Sequence, residues 1–168
     1  MKKTSEKGGK YKRPSWDEYF LSMAELVGSR GTCDRGRAGT VIAKDKRMLS
    51  AGYVGAPVGL PDCDEVGHQM HSVTHEDGSV SNHCVRTAHA EQNAINNAAR
   101  VGVAVQGATM YCKMVPCYKC AQSIINAGII RVVSMNDYHA SAESKVIFKQ
   151  AKVKLDIINK KVEKYKDQ

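Results

Sequence analysis

The sequence predicts an α/β fold in which helices alternate with the strands of a partly parallel sheet. The second half of the chain alternates strand-like and helix-like segments, and 42% hydrophobic with 25% charged residues is typical of a globular protein. With 168 residues the chain has room for about one domain. No segment approaches the roughly 20 apolar residues of a membrane helix, and the basic N-terminus lacks the apolar stretch of a secretory signal. We therefore expect a cytoplasmic protein with no membrane association.

The first predicted helix begins after Ser15. Ser15 and Glu18 have the spacing of a capping box, in which each side chain hydrogen-bonds the other residue's backbone N–H. Between Trp16 and Val27 the apolar residues recur at spacings of three and four, which predicts one buried helical face. The helix is expected to end near Gly31.

A hairpin and a long irregular segment follow the first helix. The strand-like runs Gly39–Ala43 and Met48–Tyr53 are separated by a charged turn, which predicts the hairpin. The segment 54–87 is rich in Gly, Pro, Asp and His and has no sustained period. A structureless loop of that length is rare unless it is functional or held in place, and its Cys and His residues suggest a metal.

The remaining elements alternate between helices and strands. They are the helix 88–100, the strand 108–114, the helix 117–127, the strand 129–135, the helix 141–152 and the strand 153–158. Strands joined through helices in this way predict parallel pairing.

The positive charge is concentrated at the two ends of the chain. The net charge is +8, but the first thirteen residues hold six basic and one acidic side chain, and the last ten hold four and two. The sequence therefore predicts a disordered basic tail over 1–13, a folded domain over 14–158 and a basic C-terminal tail over 159–168. Such tails can bind nucleic acid, but solvated ends are commoner. We expect no nucleic-acid partner.

Two short motifs predict a catalytic metal. In a cytosolic protein the six cysteines indicate a metal before disulfides. His89, Cys117 and Cys120 lie at the starts of two predicted helices, and three protein ligands leave an open position for the water of a catalytic zinc. Glu91 is placed to shuttle protons. The order H-x-E, then P-C-x-x-C, is typical of zinc nucleobase deaminases; a structural zinc with a surface Glu is the alternative.

Longer stretches carry a family resemblance. They are Ser15–Phe20, Thr32–Arg35, Gly52–Pro57, Gly59–Cys63, Cys84–Glu91 and Asn93–Ile95. On these residues the chain resembles the deoxycytidylate (dCMP) deaminases of the cytidine deaminase superfamily, particularly the bacterial late-competence type. The resemblance runs from about Trp16 to Tyr138. It implies a three-layer α/β/α fold with a central five-stranded mixed sheet, and a homo-oligomer, either a hexamer or a dimer.

The resemblance also implies a reaction, the hydrolysis of dCMP to dUMP with release of ammonia. Zinc-bound hydroxide would attack C4 of cytosine, while Glu91 would carry protons to N3 and to the leaving amine. Substrate contacts are expected from Val54, Gly55, Ala90, Asn93, Pro116 and Tyr138. The family is regulated by dCTP and dTTP, and the segment 55–59 is the expected site of such regulation.

Val54 departs from the family pattern. The family usually has Asn here, similar to an Asn that binds the sugar hydroxyl in related deaminases, whereas a Val side chain can neither donate nor accept a hydrogen bond. The departure leaves another cytosine nucleotide or nucleoside open as the substrate.

A second, structural zinc is also implied by the resemblance. Its predicted ligands are Cys33, Cys63, Cys84 and His68, with His71 or His83 as alternatives to His68. The competing interpretation is three buried free cysteines beside an exposed histidine cluster.

Two other functions compete with a small-molecule deaminase. A deaminase of tRNA or single-stranded nucleic acid would use the basic tails, but the span 14–158 carries a net charge of only +1. A catalytically inactive, zinc-stabilised assembly protein is the other alternative. A Glu91→Ala variant would distinguish it, because an assembly role would survive that change.

Overall fold

The computed structural model describes residues 11–74, 78 and 80–164. Its helices are α1 (Trp16–Gly28), α2 (Cys63–Val66), α3 (Ala90–Arg100), α4 (Tyr118–Asn126) and α5 (Ala142–Gln150). Its strands are β1 (Gly39–Lys44), β2 (Arg47–Tyr53), β3 (Met70–Thr74), β4 (Val80–Cys84), β5 (Thr109–Met114), β6 (Arg131–Tyr138), β7 (Lys154–Ile157) and β8 (Val162–Glu163).

A mixed sheet forms the centre of the domain. Five strands lie in the order β2-β1-β5-β6-β7, with β1 antiparallel to both of its neighbours. The strands β5, β6 and β7 run parallel, and the two-residue β8 pairs with the end of β6. The predicted α/β fold with a mixed central sheet is therefore confirmed, with β8 as a short sixth strand.

The two faces of the sheet carry separate apolar cores. On one face Val41 and Val133 pack with Phe20 of α1. On the other face, Ile42 and Met110 pack with residues of α3, α4 and α5. Because successive strand side chains point to opposite faces, this alternation places the sheet between two helical layers.

Helix α1 begins as the sequence predicts. The backbone N–H of Ser15 donates to Oε2 of Glu18 at 2.7 Å, and the backbone N–H of Glu18 donates to the Ser15 hydroxyl at 3.2 Å. The helix ends at Gly28, earlier than predicted, where it meets β1. A Cβ on Gly39 would lie 2.3 Å from the backbone nitrogen of Gly28, so this close crossing requires glycine.

The segment 54–87 contains more regular structure than its sequence pattern indicates. It holds α2, whose Asp62 and Glu65 form a second capping box, and the antiparallel hairpin of β3 and β4. All five residues of β3 are exposed, so its sequence shows no buried face.

The ends of the chain lie partly outside the described residues. Of the predicted N-terminal tail, residues 1–10 fall outside them, and residues 11–13 are exposed without regular structure. The predicted C-terminal tail contributes β8, where the Asp137 N–H donates to the Lys161 carbonyl at 2.8 Å. Within the described part of the chain, no helix has the length and apolar character needed to span a bilayer.

Candidate active site

The starts of α3 and α4 meet at one point beyond the end of β5. His89 is the N-cap residue of α3, Cys117 is the N-cap residue of α4, and Cys120 lies in the first turn of α4. Nδ1 of His89 is 3.5 Å from Sγ of Cys117 and 3.4 Å from Sγ of Cys120. Oε2 of Glu91 is 3.5 Å from Sγ of Cys120.

Short connections position this catalytic cluster, formed by His89, Cys117 and Cys120. The residue before His89, Ala88, pairs with Gly55 in an isolated antiparallel bridge. The backbone N–H of His89 donates to Oε1 of Gln92 at 3.1 Å, which begins α3. On the other side, only a two-residue turn separates β5 from Cys117. Both helix starts are therefore fixed to the sheet.

The electrostatics of the cluster favour metal binding. Hydrogen bonds from Cys120 and His89 outweigh the burial of Cys117 and lower the pKa of its thiol to about 4. The same contact with Cys117 raises the pKa of His89 to about 9, so an entering metal ion must displace the imidazole proton. Burial raises the pKa of Glu91, which suits a proton carrier.

The donor atoms of the catalytic cluster fit zinc. The two thiol sulfurs and the imidazole nitrogen all lie within 4.8 Å of one another. Zinc is bound by such Cys and His donors, and three protein ligands are typical of a catalytic rather than a structural site.

A second group of metal-binding side chains lies between α2, β4 and the loop before β1. The ligand atoms of Cys33, Cys63, His68 and Cys84 are within 4.8 Å of one another. Sγ of Cys33 is 3.8 Å from Nδ1 of His68, and the sulfurs of Cys63 and Cys84 are 3.6 Å apart. We call these four residues the second cluster. They fit a closed tetrahedral zinc site by number and type.

Three other residues bear on the ligand set of the second cluster: two alternative histidine ligands and one aspartate. The alternative ligands His71 and His83 face each other across the β3–β4 hairpin and are not part of the group. Oδ1 of Asp34 is 3.0 Å from Nε2 of His68, a contact that the sequence reasoning missed although Asp34 adjoins Cys33. A carboxylate on the far ring nitrogen orients a ligating histidine.

The residues predicted to contact substrate fall into two groups. Val54 and Gly55 lie beside the catalytic cluster, because Gly55 exchanges two backbone hydrogen bonds with Ala88. Nδ2 of Asn93 donates to the Tyr53 carbonyl at 2.8 Å, so this side chain holds the backbone next to Val54.

The other three predicted contacts are buried. Ala90 is 1% exposed and Pro116 is among the fully buried side chains. Tyr138 packs with Met114 and Val115 in a small apolar group at the ends of β5 and β6. Cys117 of the catalytic cluster packs against this apolar group.

A cavity adjoins the catalytic cluster. Its wall includes His89, Val54, Thr87, His83 and Arg35. Arg35 was not among the predicted site residues, and His83 was predicted only as an alternative ligand of the second zinc. Arg35 is next but one to Cys33 and ends a stretch that carries the family resemblance, and His83 directly precedes Cys84.

Comparison with known proteins agrees with this geometry. The family described as "Cytidine and deoxycytidylate deaminase zinc-binding region" matches residues 14–136. ComE operon protein 2 of Bacillus subtilis is 38% identical over 86% of this chain and 71% of its own length. Deoxycytidylate deaminase of Mycobacterium phage D29 is 38% identical over 72% of this chain and 94% of its own.

Two further comparisons concern length and fold. Deoxycytidylate deaminase of Saccharomyces cerevisiae is 39% identical over 83% of this chain, which spans 43% of the yeast protein. The crystal structure of the cyanophage S-TIM5 dCMP deaminase in complex with dCMP and dUMP superposes with a TM-score of 0.69 at 24% identity. It covers 88% of this chain and 99% of the phage chain, and it supports the fold. Because the family match covers residues 14–136, and this range contains both zinc motifs, the chain belongs to the cytidine and deoxycytidylate deaminase family.

Proposed function

We propose that this protein hydrolyses dCMP to dUMP and ammonia. The observation that carries the proposal is the meeting of His89, Cys117 and Cys120 with the carboxyl group of Glu91 at two helix starts. Relatives at 38–39% identity are named deoxycytidylate deaminases, which supports a cytosine nucleotide as the substrate. The reaction releases the exocyclic amine of cytosine after water adds at C4.

The metal and the protein have separate tasks. Zinc held by the catalytic cluster would lower the pKa of a water molecule and make it a nucleophile near neutral pH. Glu91 takes a proton and delivers it to N3 of the ring and then to the departing amine. Its position beside Cys120 and its raised pKa suit a carboxyl group that must bind and release a proton during each turnover.

The proposal is tested by the ultraviolet absorbance change of dCMP with zinc-loaded protein. We expect turnover by the native protein and a loss of at least about a hundredfold in kcat for Glu91→Gln, because general acid–base groups contribute roughly 10²–10⁴-fold. The variant keeps the size of the side chain and should retain zinc and its thermal stability. An exposed acid on α1, changed as Glu25→Gln, is the matched control.

One result would reject dCMP as the substrate, and another would reject the role of Glu91. A native protein that binds zinc but leaves dCMP unchanged would exclude this substrate under the conditions used. Full activity of Glu91→Gln would show that another group carries the proton.

We also propose that the second cluster binds a structural zinc ion. Its support is the grouping of three cysteines and one histidine, with Asp34 on the outer nitrogen of His68. Such a site would join α2 and β4 to the loop before β1. It would thereby hold the segment 54–87 beside the catalytic cluster.

The electrostatics of the second cluster favour ionisation of one of its three thiols, whereas burial raises the pKa of Cys33 and Cys63. Burial opposes ionisation of Cys84, but backbone hydrogen bonds at Arg86 and Gln69 outweigh it and lower the pKa of this thiol to about 7. Metal binding would complete the ionisation of the remaining thiols.

Assembly and regulation remain predictions of the family resemblance, and location remains a prediction from the sequence. A homo-oligomer is checked by light scattering of the purified protein. Activation by dCTP and inhibition by dTTP are checked by adding each to the dCMP assay. Cytoplasmic location is checked by fractionation.

A further inference from the structure

Three aromatic side chains are exposed where the chain enters α1. The exposed fractions are 84% for Tyr11, 49% for Trp16 and 45% for Tyr19. The ring centroids of Trp16 and Tyr19 are 5.8 Å apart, with an angle of 89° between the ring planes. We call these three residues the aromatic surface. Exposed apolar side chains that cluster in this way mark a contact surface, whereas single ones are normal.

The core beneath the aromatic surface holds its rings in place. The Trp16 ring stacks on Phe20 with a centroid distance of 5.9 Å, and the Tyr19 ring meets Phe20 at 5.2 Å. Phe20 is buried and lies 5.1 Å from the ring of Tyr111 on β5. Because Trp16 and Tyr19 are already positioned, a ligand that stacks on them loses little side-chain entropy.

Trp16 separates two hollows that both carry basic side chains. One has a volume of about 560 Å³ and is formed by the aromatic surface with Arg13 and Pro14. The other has a volume of about 290 Å³, lies between α1 and the β1–β2 turn, and includes Lys44 and Lys46. Nζ of Lys46 is 5.8 Å from the centroid of the Trp16 ring. The indole ring therefore has cations on two sides.

The positive charge of the sequence is concentrated beside the same rings. Residues 1–13 hold six basic side chains and one acidic one, whereas the span 14–158 has a net charge of only +1. Tyr11 is followed directly by Lys12 and Arg13, and both are exposed. A basic segment of this density attracts a polyanion, because neutralised phosphates release their counterions.

Two acidic side chains of α1 adjoin the aromatic surface, and both have partners within the fold. The carboxylate of Asp17 accepts from Nη2 of Arg131 at 2.7 Å. The carboxylate of Glu18 accepts from the Ser15 backbone N–H at 2.7 Å, at the positive end of the helix. Asp45, in the β1–β2 turn, has a lysine on either side in the sequence. These acids are therefore compensated by neighbouring positive charge.

We propose that the aromatic surface binds single-stranded DNA. Bases stack on its three rings while phosphates contact the neighbouring lysines and arginines, as in proteins that bind single strands without sequence preference. A duplex keeps the faces of its bases stacked inside, so exposed rings favour a single strand. Rings and cations make no contact that requires a 2′-hydroxyl group, so the deoxy strand is sufficient. Solvation explains the basic ends of the chain, but it does not explain the rings beside them.

The aromatic surface lies at the opposite end of the sheet from the catalytic cluster. Thr109, the first residue of β5, lines the hollow beside Trp16. The catalytic cluster lies beyond Met114, the last residue of the same strand. With six residues, β5 is roughly 17 Å long. The bound strand is therefore a partner rather than the substrate, and its binding is independent of dCMP hydrolysis.

Tryptophan fluorescence of the native protein tests this proposal. Trp16 is the single tryptophan of the chain, so a strand that stacks on it should quench the tryptophan emission. The probe is oligo(dU) of about 20 nucleotides, longer than the 4–16 nucleotides of one single-strand-binding fold. It contains no cytosine for the catalytic site. We expect saturable quenching at low salt and an affinity that falls steeply as salt is added.

Variants of the rings are compared by the fluorescence anisotropy of a labelled strand. We expect Trp16→Ala and Tyr11→Ala each to weaken binding about fivefold to a hundredfold, the effect of removing one stacking ring. Trp16→Phe keeps a ring and should retain most of the affinity. Tyr11 is almost fully exposed, so Tyr11→Ala tests the surface even if replacement of Trp16 disturbs α1.

Matched controls separate rings and local charges from general effects. Leu26→Ala removes a 73% exposed apolar side chain without a ring from the same helix, and it should leave the affinity unchanged. Lys46→Gln should reduce the slope of log affinity against log salt by about 0.7, the value for one phosphate contact on a single strand. Lys149→Gln removes the same charge at the end of α5 and should leave that slope unchanged.

Four results would overturn the proposal. Equal affinity for the oligo(dU)·oligo(dA) duplex would exclude stacking, and binding of oligo(U) at least about tenfold tighter than oligo(dU) would assign the surface to RNA. Displacement of the strand by dCMP would place it in the catalytic site. Absence of binding by the native protein at low salt would leave a second copy of the chain as the occupant, and light scattering of Trp16→Ala would then show a smaller assembly.

Discussion

Asp34 acts on the second cluster through His68. Its carboxylate oxygen lies 3.0 Å from Nε2 of His68, while Nδ1 of the same ring faces the sulfur of Cys33 at 3.8 Å. A carboxylate that accepts from one ring nitrogen fixes the tautomer whose other nitrogen can ligate. Asp34 is therefore a positioning residue of the proposed zinc site.

The proposed structural zinc predicts the metal content of two variants. We expect two zinc ions per native chain, one in Cys63→Ser, and two in Asp34→Asn with the second held about 10–100-fold more weakly. Elemental analysis gives the stoichiometry, and competition with a chromophoric chelator gives the affinity. Asp45→Asn changes an exposed acid in the β1–β2 turn and is the control. A single zinc ion in the native chain would contradict the site.

The catalytic ligands could be predicted from sequence because each motif is local. Cys117 and Cys120 are three residues apart, so helix geometry alone brings their side chains together, and His89 and Glu91 are both fixed at the start of α3 by their short spacing. Arg35 and Asp34 have no comparable pattern. Their partners, Asn82 and His68, are 47 and 34 residues away along the chain, and only the fold brings them together.

At the scale of elements, the contact between α3 and β2 holds the catalytic helix in place. The Ser50 hydroxyl donates to the Ala94 carbonyl at 2.7 Å, and Nδ2 of Asn97 donates to the Ala51 carbonyl at 2.9 Å. Next to these two residues on β2, Gly52 lies directly under the helix. A Cβ there would be 2.3 Å from the backbone nitrogen of Ala94, which leaves no room for any side chain.

Gly52→Ala is therefore expected to push α3 away from the sheet. The clash involves helix backbone, so we expect a loss of about 3 kcal/mol or more in the free energy of unfolding, the upper end for overpacking. Displacement of His89 should also reduce zinc retention. Urea unfolding and zinc analysis measure the two effects.

Gly102→Ala is the comparison variant for Gly52→Ala. Gly102 follows the same helix with a φ of 71° and open space around it. Gly102→Ala should lower the free energy of unfolding by about 1–2 kcal/mol, because an alanine is strained in the left-handed backbone conformation. A Gly52→Ala protein as stable as Gly102→Ala would show that α3 can move without penalty.

Hydrophobic pattern predicted the main elements but not those between β2 and α3. The strands of the central sheet have a buried face on at least one side, and α1 has a buried apolar stripe. Burial of this kind leaves a regular spacing of apolar residues in the sequence. The hairpin of β3 and β4 has no fully buried residue, and α2 is only four residues long. These short elements adjoin the second cluster, whose contacts span distant parts of the sequence.

At the scale of the whole molecule, Arg131 joins three elements. From β6 its guanidinium group donates to Asp17 of α1 at 2.7 Å and to Asp156 of β7 at 2.8 Å. The Tyr111 hydroxyl donates to the same Asp17 carboxylate at 3.1 Å. The edge of the sheet and the outer helix are thus linked through one partly buried cation.

The two carboxyl groups make this link sensitive to acid. Hydrogen bonds from Arg131 lower the pKa of Asp17. Burial opposes ionisation of Asp156, but hydrogen bonds from Arg131 and Lys154 outweigh it, so its pKa is lowered as well. A carboxyl group whose pKa is lower in the folded state stabilises the protein above its unfolded pKa of about 4. That contribution is lost as the pH falls through the folded pKa.

Replacement of Arg131 should therefore change stability in a pH-dependent way. We expect Arg131→Met to lower the free energy of unfolding by about 1–3 kcal/mol near pH 7, the range for hydrogen bonds to charged groups. Below pH 4 the native protein also loses this contribution, so the difference should shrink towards pH 2. Lys154→Met removes a 66% exposed partner of Asp156 and should cost less than about 1 kcal/mol. Urea unfolding at pH 7, 5, 3 and 2 checks this, and a difference that stays constant with pH would mean that Arg131 contributes through packing rather than charge.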